Sequence, residues 1–217
     1  MTKKKGSIMK RTLAPFAVIA ALLFALCCSV SARAQQLTDA DLAKALELLE
    51  SSKKDVLDAT KGLSDAQWNF KSAPDRWSIA ECMEHIAAAE DFIRGNIANN
   101  IMKAPAAPGR DIERIDAAII VGVEDRSHKV QAPEPIKPNN RFGSPQGSID
   151  HFLKSRAETG DFLKTTPGLR DHAVDSPRGP DVPKWDAYEF ILLIGAHSER
   201  HTKQILEVKA DPNFPKS

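Results

Sequence analysis

Prolines and the spacing of apolar residues restrict this chain to an all-α fold with one long irregular connection. Residues 103–147 contain six prolines, which rule out one continuous helix there, although residues 112–123 are compatible with a short one. On both sides of this segment apolar side chains recur at helical spacing, and no stretch alternates with the period of a strand. The economical interpretation is a four-helix bundle with a long crossover, over residues 104–145, between its second and third helices.

The pattern predicts four long helices, at about residues 38–62, 78–102, 146–165 and 184–209. The second begins with Ser78-Ile-Ala-Glu81, in which a serine is followed three residues later by a glutamate, as in a capping box. The side chains expected to face inward on the second helix are Ile79, Met83, Ile86, Ala89, Phe92 and Ile93. Those expected on the third helix are Ile149, Phe152, Leu153, Ala157 and Phe162.

The first 34 residues have the pattern of a cleavable export signal. Five basic side chains within residues 3–11 precede an apolar run from Leu13 to about Val30, and Ala32-Arg33-Ala34 fits the small-x-small cleavage rule. We therefore expect residues 1–34 to be a signal peptide and residues 35–217 to form one exported domain, periplasmic or secreted. The alternative is an uncleaved membrane anchor, but the apolar run is near the lower length limit for a span. After cleavage we expect no stable membrane span.

Removal of the signal changes the charge and the cysteine content. Residues 1–34 hold six of the 30 Lys and Arg and none of the 29 Asp and Glu, so 24 basic and 29 acidic side chains remain. This net negative charge argues against nucleic acid as a partner, since no positive field offsets phosphate repulsion. Only Cys82 of the three cysteines remains, which excludes an internal disulfide in the mature chain.

Three histidines on two predicted helices are the candidate functional residues. His197 and His201 lie four residues apart, so they share one face of the fourth helix. Both imidazoles are then able to reach one metal ion, and His85 on the second helix supplies a third ligand if the two helices pack together. The alternative for His85 alone is a core histidine with satisfied hydrogen bonds. Such a triad leaves coordination positions open for water or substrate.

No catalytic acid or base is assigned from the residues around this triad. Glu199 is two residues after His197, which directs it away from the metal, and the segment therefore differs from the metalloprotease motif. Gln204 is one turn after His201 and either supports that ligand or lies on a solvated face. Cys82 is expected to be a buried, inert thiol. The three remaining histidines, which are not assigned to the site, are His128, His151 and His172.

The segments that carry the histidines resemble those of the DinB-like superfamily. The resemblance rests on Leu63-Ser-Asp-Ala-Gln-Trp68, on Trp77-Ser-Ile-Ala-Glu81 before His85, and on the segment from Ala196 to Gln204. It implies a four-helix bundle with a long crossover between helices two and three, often dimeric, and a divalent metal, commonly zinc or nickel, held by three histidines. Carried onto this sequence, those ligands are His85, His197 and His201. Members of the superfamily include S-transferases for low-molecular-weight thiols and isomerases that use such thiols.

The sequence thus predicts a metal-dependent enzyme that acts on a small molecule whose identity the residues do not specify. Metal-assisted hydrolysis and thiol transfer share a first step, because coordination to a divalent ion acidifies either nucleophile. A non-catalytic metal- or small-ligand-binding protein of the envelope is the alternative, since no aligned acid or base accompanies the triad. A purely structural bundle with relic histidines is a third interpretation.

Overall fold

The computed structural model describes Thr2 and residues 36–216, so the predicted signal peptide at residues 1–34 lies outside the described residues. Within the described part, four long helices and two shorter ones account for most of the chain. In chain order the elements are α1 (Asp39–Thr60), α2 (Asp65–Asn69), α3 (Ile79–Asn99), a 3-10 turn (Ile101–Lys103), α4 (Ile112–Glu124), a second 3-10 turn (Glu134–Ile136), α5 (Pro145–Thr165), β1 (Ala173–Val174), β2 (Trp185–Asp186) and α6 (Ala187–Lys209).

Local side-chain caps fix where the long helices begin. Thr38, Ser78 and Asp186 each accept a hydrogen bond from the third residue of the helix that follows, and an acidic side chain at that position bonds back to the cap. Ser144 caps α5, with a proline at its first position, where no backbone N–H is needed. These caps satisfy backbone N–H groups that would otherwise lack partners, so the beginnings of the helices are encoded by neighbouring residues.

The four long helices form a bundle in which helices that follow one another in sequence are not always neighbours. α1 packs against α6 and α5, while α3 packs against α5 and α6. The pairs α1/α3 and α5/α6 therefore lie diagonally across the bundle. The predicted crossover between α3 and α5 is present, and its short helix α4 packs on the outer side of α6. An antiparallel pairing of β1 with β2 leads the chain into α6.

Helix α3 is enclosed because the bundle lies on one side of it and the crossover on the other. Nine consecutive residues, Cys82–Glu90, are buried. A helix that is buried all round must find protein partners for its polar side chains, because water does not reach them. Three such side chains on α3 have protein partners, since Glu84 and His85 bond to the crossover and Glu90 bonds to α5.

An ion pair in the bundle core holds all four long helices together. Arg156 of α5 donates to Glu90 of α3 (Nε–Oε1 2.7 Å), to Ser52 of α1 (2.8 Å) and to Ser198 of α6 (2.8 Å). Arg156 is 2% exposed and Glu90 is 1% exposed. Every contact of the guanidinium is therefore made by protein, and its charge is balanced inside the core.

The structure corrects the predicted apolar faces of two helices. Phe92 is 43% exposed and Leu153 is 38% exposed, and Ala157 is exposed too, although all three were expected to face inward. On α5 the buried face is instead polar in its middle, where it carries Arg156 and the residues beside it. Helix α3 also ends three residues earlier than predicted, because a 3-10 turn replaces its last turn. Within residues 36–216 no helix combines the length and the apolar character that spanning a membrane requires.

Candidate metal centre

The three predicted histidines converge between α3 and α6. His85 is in the second turn of α3, and His197 and His201 lie one turn apart on α6, which packs directly against α3. One ring nitrogen of each histidine lies within 4.8 Å of those of the other two, and Nε2 of His85 is 3.1 Å from Nε2 of His197. His85 and His201 are buried and His197 is partly buried. The predicted convergence is therefore confirmed.

Hydrogen bonds fix the tautomers of two of these rings. Nδ1 of His85 lies 2.8 Å from the backbone carbonyl of Ile136, which only accepts, so that nitrogen donates and Nε2 carries the lone pair. Nδ1 of His201 lies 2.9 Å from Oε1 of Gln204. Arg126, which has only donors, also contacts this amide atom at 3.2 Å, so the atom is the oxygen. His201 therefore donates through Nδ1 as well and leaves Nε2 with its lone pair.

The electrostatic environment keeps all three histidines neutral. Burial lowers the pKa of His85, and it lowers the pKa of His197 and of His201 well below the usual value. The neighbouring histidines add to this effect for His197 and His201, and so does the guanidinium of Arg200. A neutral imidazole is the form that binds a metal, because protonation would occupy its free lone pair.

The donor set and its spacing fit a divalent transition metal. Zinc binds imidazole nitrogen at about 2.0–2.1 Å, which places two nitrogens of a tetrahedral site about 3.3 Å apart. The 3.1 Å between the Nε2 atoms of His85 and His197 is close to this value. Among residues 36–216, no carboxylate or thiol joins the three nitrogens as a further ligand. The arrangement is therefore a three-nitrogen site rather than a mixed carboxylate site.

Trp77 forms an aromatic wall beside two of the histidines. Its ring centroid is 4.7 Å from that of His85 and 6.0 Å from that of His201, and the latter pair is nearly parallel. Trp77 directly precedes the capping residue Ser78, so the box that starts α3 also fixes this ring beside the site. Such packing restricts the rotation of the imidazoles and excludes water from one side of them.

The other residues considered at the sequence level lie where they were expected, or outside the site. Gln204 supports His201, which resolves the two alternatives for that residue. Cys82 is fully buried, and burial raises the pKa of its thiol, so the thiol is inert. Burial, followed by the nearby carboxylates of Asp55 and Glu124, raises the pKa of Glu199.

None of the three unassigned histidines joins the cluster. His128 is exposed. His151 bonds to Asp91 through Nε2 at 2.6 Å, and His172 lies in a bridge with Ala106.

Sequence reasoning missed the residues that support the ligands from the crossover. The carboxylate of Glu84 is buried and accepts the backbone N–H groups of Asn139, Asn140 and Arg141 at 2.8–3.0 Å. Burial alone would raise the pKa of Glu84, but these bonds bring it below the usual value, so the group is charged. The position of Glu84 beside His85 was one available signal. The carbonyl of Ile136 left no signal in the sequence.

Comparisons with known proteins agree with this architecture. The model of the DinB superfamily matches residues 48–205. The uncharacterized protein YuaE of Bacillus subtilis strain 168 is 22% identical over 173 residues, which cover 76% of this chain and 96% of YuaE. A solved structure, described as YfiT from Bacillus subtilis, a probable metal-dependent hydrolase with an unusual four-helix bundle topology, has a TM-score of 0.52 at 13% identity. That match covers 83% of this chain and 93% of YfiT, and it shows a shared fold. Because the family model spans most of the chain, the protein belongs to the DinB superfamily, as its histidine segments predicted.

Proposed function

We propose that this protein is an exported metal-dependent hydrolase whose divalent ion is bound by His85, His197 and His201. The observation that carries the proposal is the convergence of three neutral imidazole nitrogens within 4.8 Å on a buried face between α3 and α6. YfiT, which shares the fold, is described as a probable metal-dependent hydrolase. Zinc and nickel are the metals we expect, because three nitrogen donors suit both and the superfamily commonly holds them.

A divalent ion held here supplies Lewis acidity, which acidifies a water nucleophile and polarises the bond under attack. The chain itself contributes the orientation of the ligands and a dry surrounding. Ile136 and Gln204 hold the Nδ1–H groups of two rings, so that both Nε2 lone pairs face the centre. Trp77 shields one side of the rings from water. The substrate is a small molecule of unassigned identity, and thiol transfer is the second reaction that the same site would support.

One observation favours a different class of function. No carboxylate or thiol of residues 36–216 joins the three nitrogens of the histidine cluster. A non-catalytic protein of the envelope that binds a metal or a small ligand would have this composition. Hydrolysis of esters, amides or thiol conjugates by the metal-loaded protein separates the two functions. The enzyme hypothesis requires that His201→Ala abolish this activity, and unchanged activity in that variant would reject it.

Metal binding is tested first, on purified protein supplied with zinc or nickel. We expect about one equivalent of metal per chain, and less than about a tenth of an equivalent would reject the metal site. Zinc should raise the melting temperature of the wild type and of the control His128→Ala, whose side chain is exposed. It should not raise that of His197→Ala. Equal shifts in all three proteins would show that His197 is not a ligand.

The exported state, the absence of a nucleic-acid partner and a dimer are also part of the proposal. The export signal is supported by the pattern of residues 1–34. The dimer is only what the resemblance to the superfamily implies. Mass spectrometry of the protein isolated from the cell envelope or the medium should give a chain beginning at Gln35. A chain that retains residues 1–34, or one found only in the cytosol, would contradict export. Light scattering on the purified protein measures the oligomeric state.

A further inference from the structure

We propose that the crossover between α3 and α5 is a working part of the metal site, and that Glu84 and Arg126 are positioning residues through which the crossover orients two of the three ligands. The inference rests on the proposed metal site and adds that the crossover controls the affinity of this site for its metal. Metal binding and docking of the crossover on the bundle would then stabilise each other. The contacts that carry this inference form two separate arms, one to His85 and one to His201.

The first arm is a circuit of hydrogen bonds, that is, a continuous series that leaves α3 at Glu84, passes through the crossover and returns to α3 at His85. Glu84 accepts three backbone N–H groups from residues 139–141, at 2.8, 2.9 and 3.0 Å, and its side chain is 8% exposed. The guanidinium of Arg141 in turn donates to the carbonyls of Pro135 and Lys137, at 2.8 and 2.7 Å. These two carbonyls flank Ile136, whose own carbonyl accepts the Nδ1–H of His85 at 2.8 Å.

This circuit makes the orientation of His85 dependent on Glu84. Ile136 is 6% exposed, and the 3-10 turn that contains it is closed by a bond from its N–H to the carbonyl of Pro133 at 3.1 Å. The turn has no direct bond to α3 among these contacts apart from the one to His85, whereas the carboxylate of Glu84 binds the three residues that follow it closely. Removing that anchor would release the carbonyl that holds the imidazole in one tautomer and one rotamer.

The second arm reaches His201 from the other end of the crossover. Arg126 donates to both carboxylate oxygens of Glu207, at 2.6 and 2.7 Å, and to Oε1 of Gln204 at 3.2 Å. The same oxygen accepts the Nδ1–H of His201 at 2.9 Å. Arg200 of α6 holds the chain beside Arg126, because it donates to the carbonyl of His128 at 2.8 Å and to that of Asp125.

Because the crossover orients two of the three ligands, metal binding and docking of the crossover affect each other. A ring that is free to rotate must be ordered when the metal binds, and the docked crossover removes that cost. By thermodynamic linkage, a metal that prefers the docked crossover must strengthen its docking by the same factor. Zinc should therefore protect residues 125–141 from hydrogen exchange as well as binding the histidines. Loss of partners of this kind typically weakens metal binding about 10- to 100-fold.

The test compares zinc affinity in variants that leave all three ligands in place. Glu84→Gln and Arg126→Met should each bind zinc about 10- to 100-fold more weakly, measured by competition with a chromogenic chelator. The matched control is Glu134→Gln, which makes the same chemical change within the crossover. Glu134 is 84% exposed in its side chain and bonds only to Lys137 in the same turn, so its variant should bind zinc within about twofold of the wild type.

Hydrogen exchange supplies a readout that does not depend on activity. Zinc should slow exchange of residues 125–141 in the wild type and do so less in the two variants. If Glu84→Gln does not fold, Arg126→Met decides the question, because the side chain of Arg126 is 18% exposed and pairs with the half-exposed Glu207. Wild-type protein that binds no zinc would defeat the proposed function itself. Wild-type protein that binds zinc, with Arg126→Met binding it equally tightly and no zinc effect on exchange, would overturn this inference alone.

Discussion

Replacing Arg156 by methionine tests whether the ion pair in the bundle core holds the four helices together. Methionine keeps most of the apolar stem and removes the guanidinium. The change deletes the bonds to Glu90, Ser52 and Ser198, and it leaves the carboxylate of Glu90 with only Thr159, at 3.1 Å, as a donor. Because Glu90 is 1% exposed, water does not replace the lost partner.

The size of the effect follows from this burial. Breaking a buried pair from one side costs about 3–5 kcal/mol, because a charge is left without compensation. In a domain of this size 1 kcal/mol corresponds to about 2–4 °C, so the melting temperature should fall by about 6–20 °C. Burial raises the pKa of Glu90, so the folded state holds a proton on this group above the pH at which the unfolded chain loses it. The contribution of Glu90 to stability therefore falls as the pH rises, and the deficit of Arg156→Met should grow in the same direction.

Urea denaturation, followed by circular dichroism at two pH values, measures the free energy of unfolding directly. The control is Lys154→Met, which removes a cation from the solvent side of α5, since the side chain of Lys154 is 75% exposed and lies 3.9 Å from half-exposed Glu158. That variant should lose about 1 kcal/mol or less. The double variant Arg156→Met, Glu90→Leu should recover most of the loss, since it removes both charges. A loss below about 1 kcal/mol in Arg156→Met, or no recovery in the double variant, would refute the reasoning.

Two further predictions concern α6. Burial and the nearby carboxylate of Asp186 raise the pKa of Glu189 from 4.5 to about 7, so the folded state binds this proton more tightly than the unfolded chain. Relative to Glu189→Gln, the wild type should lose on the order of 2 kcal/mol between pH 4.5 and 7, and a difference that does not change with pH in urea titrations would contradict this. At Gly195 an added Cβ would lie 2.6 Å from Cγ of Leu48 on α1. Gly195→Ala should therefore lower the free energy of unfolding by about 1–3 kcal/mol. Thermal unfolding at or above the wild-type temperature would show that α1 and α6 move apart enough to accommodate the methyl group.

The beginnings of α1, α3 and α5 and the histidine site were predictable because their determinants are local. Helix α6 begins at Ala187, three residues later than predicted, because Trp185 and Asp186 pair with β1. The cap at Ser78 and its glutamate are three residues apart, and His197 and His201 are four apart, so each pattern is readable within one turn. The order of the segments then places His85 on the neighbouring helix of a bundle. The irregular crossover was predictable from its prolines, since they forbid a long helix there.

The apolar face predicted for α5 was wrong for a reason that local patterns cannot express. The rule that charged residues face solvent placed Leu153 and Ala157 inside, yet the helix buries Arg156 instead. An arginine is stable in the core only if its partners are already there, and Glu90 lies 66 residues earlier in the chain. The same limitation hid the contact of Arg126 with Gln204, which joins residues 78 apart.

The enclosure of α3 also explains why the proposed metal site lies where it does. Glu84 and Glu90 are matched by donors that the protein itself supplies, so their charges are balanced without any ligand. The histidine cluster differs, because His85 and His201 both direct a lone pair inward once their Nδ1–H groups are bound. Whichever tautomer His197 adopts, the three inward nitrogens have at most one N–H to share. A single hydrogen bond then satisfies two of the three nitrogens, whereas one cation accepts all three lone pairs. This difference is the physical reason for proposing a metal here and not at the other buried polar groups of α3.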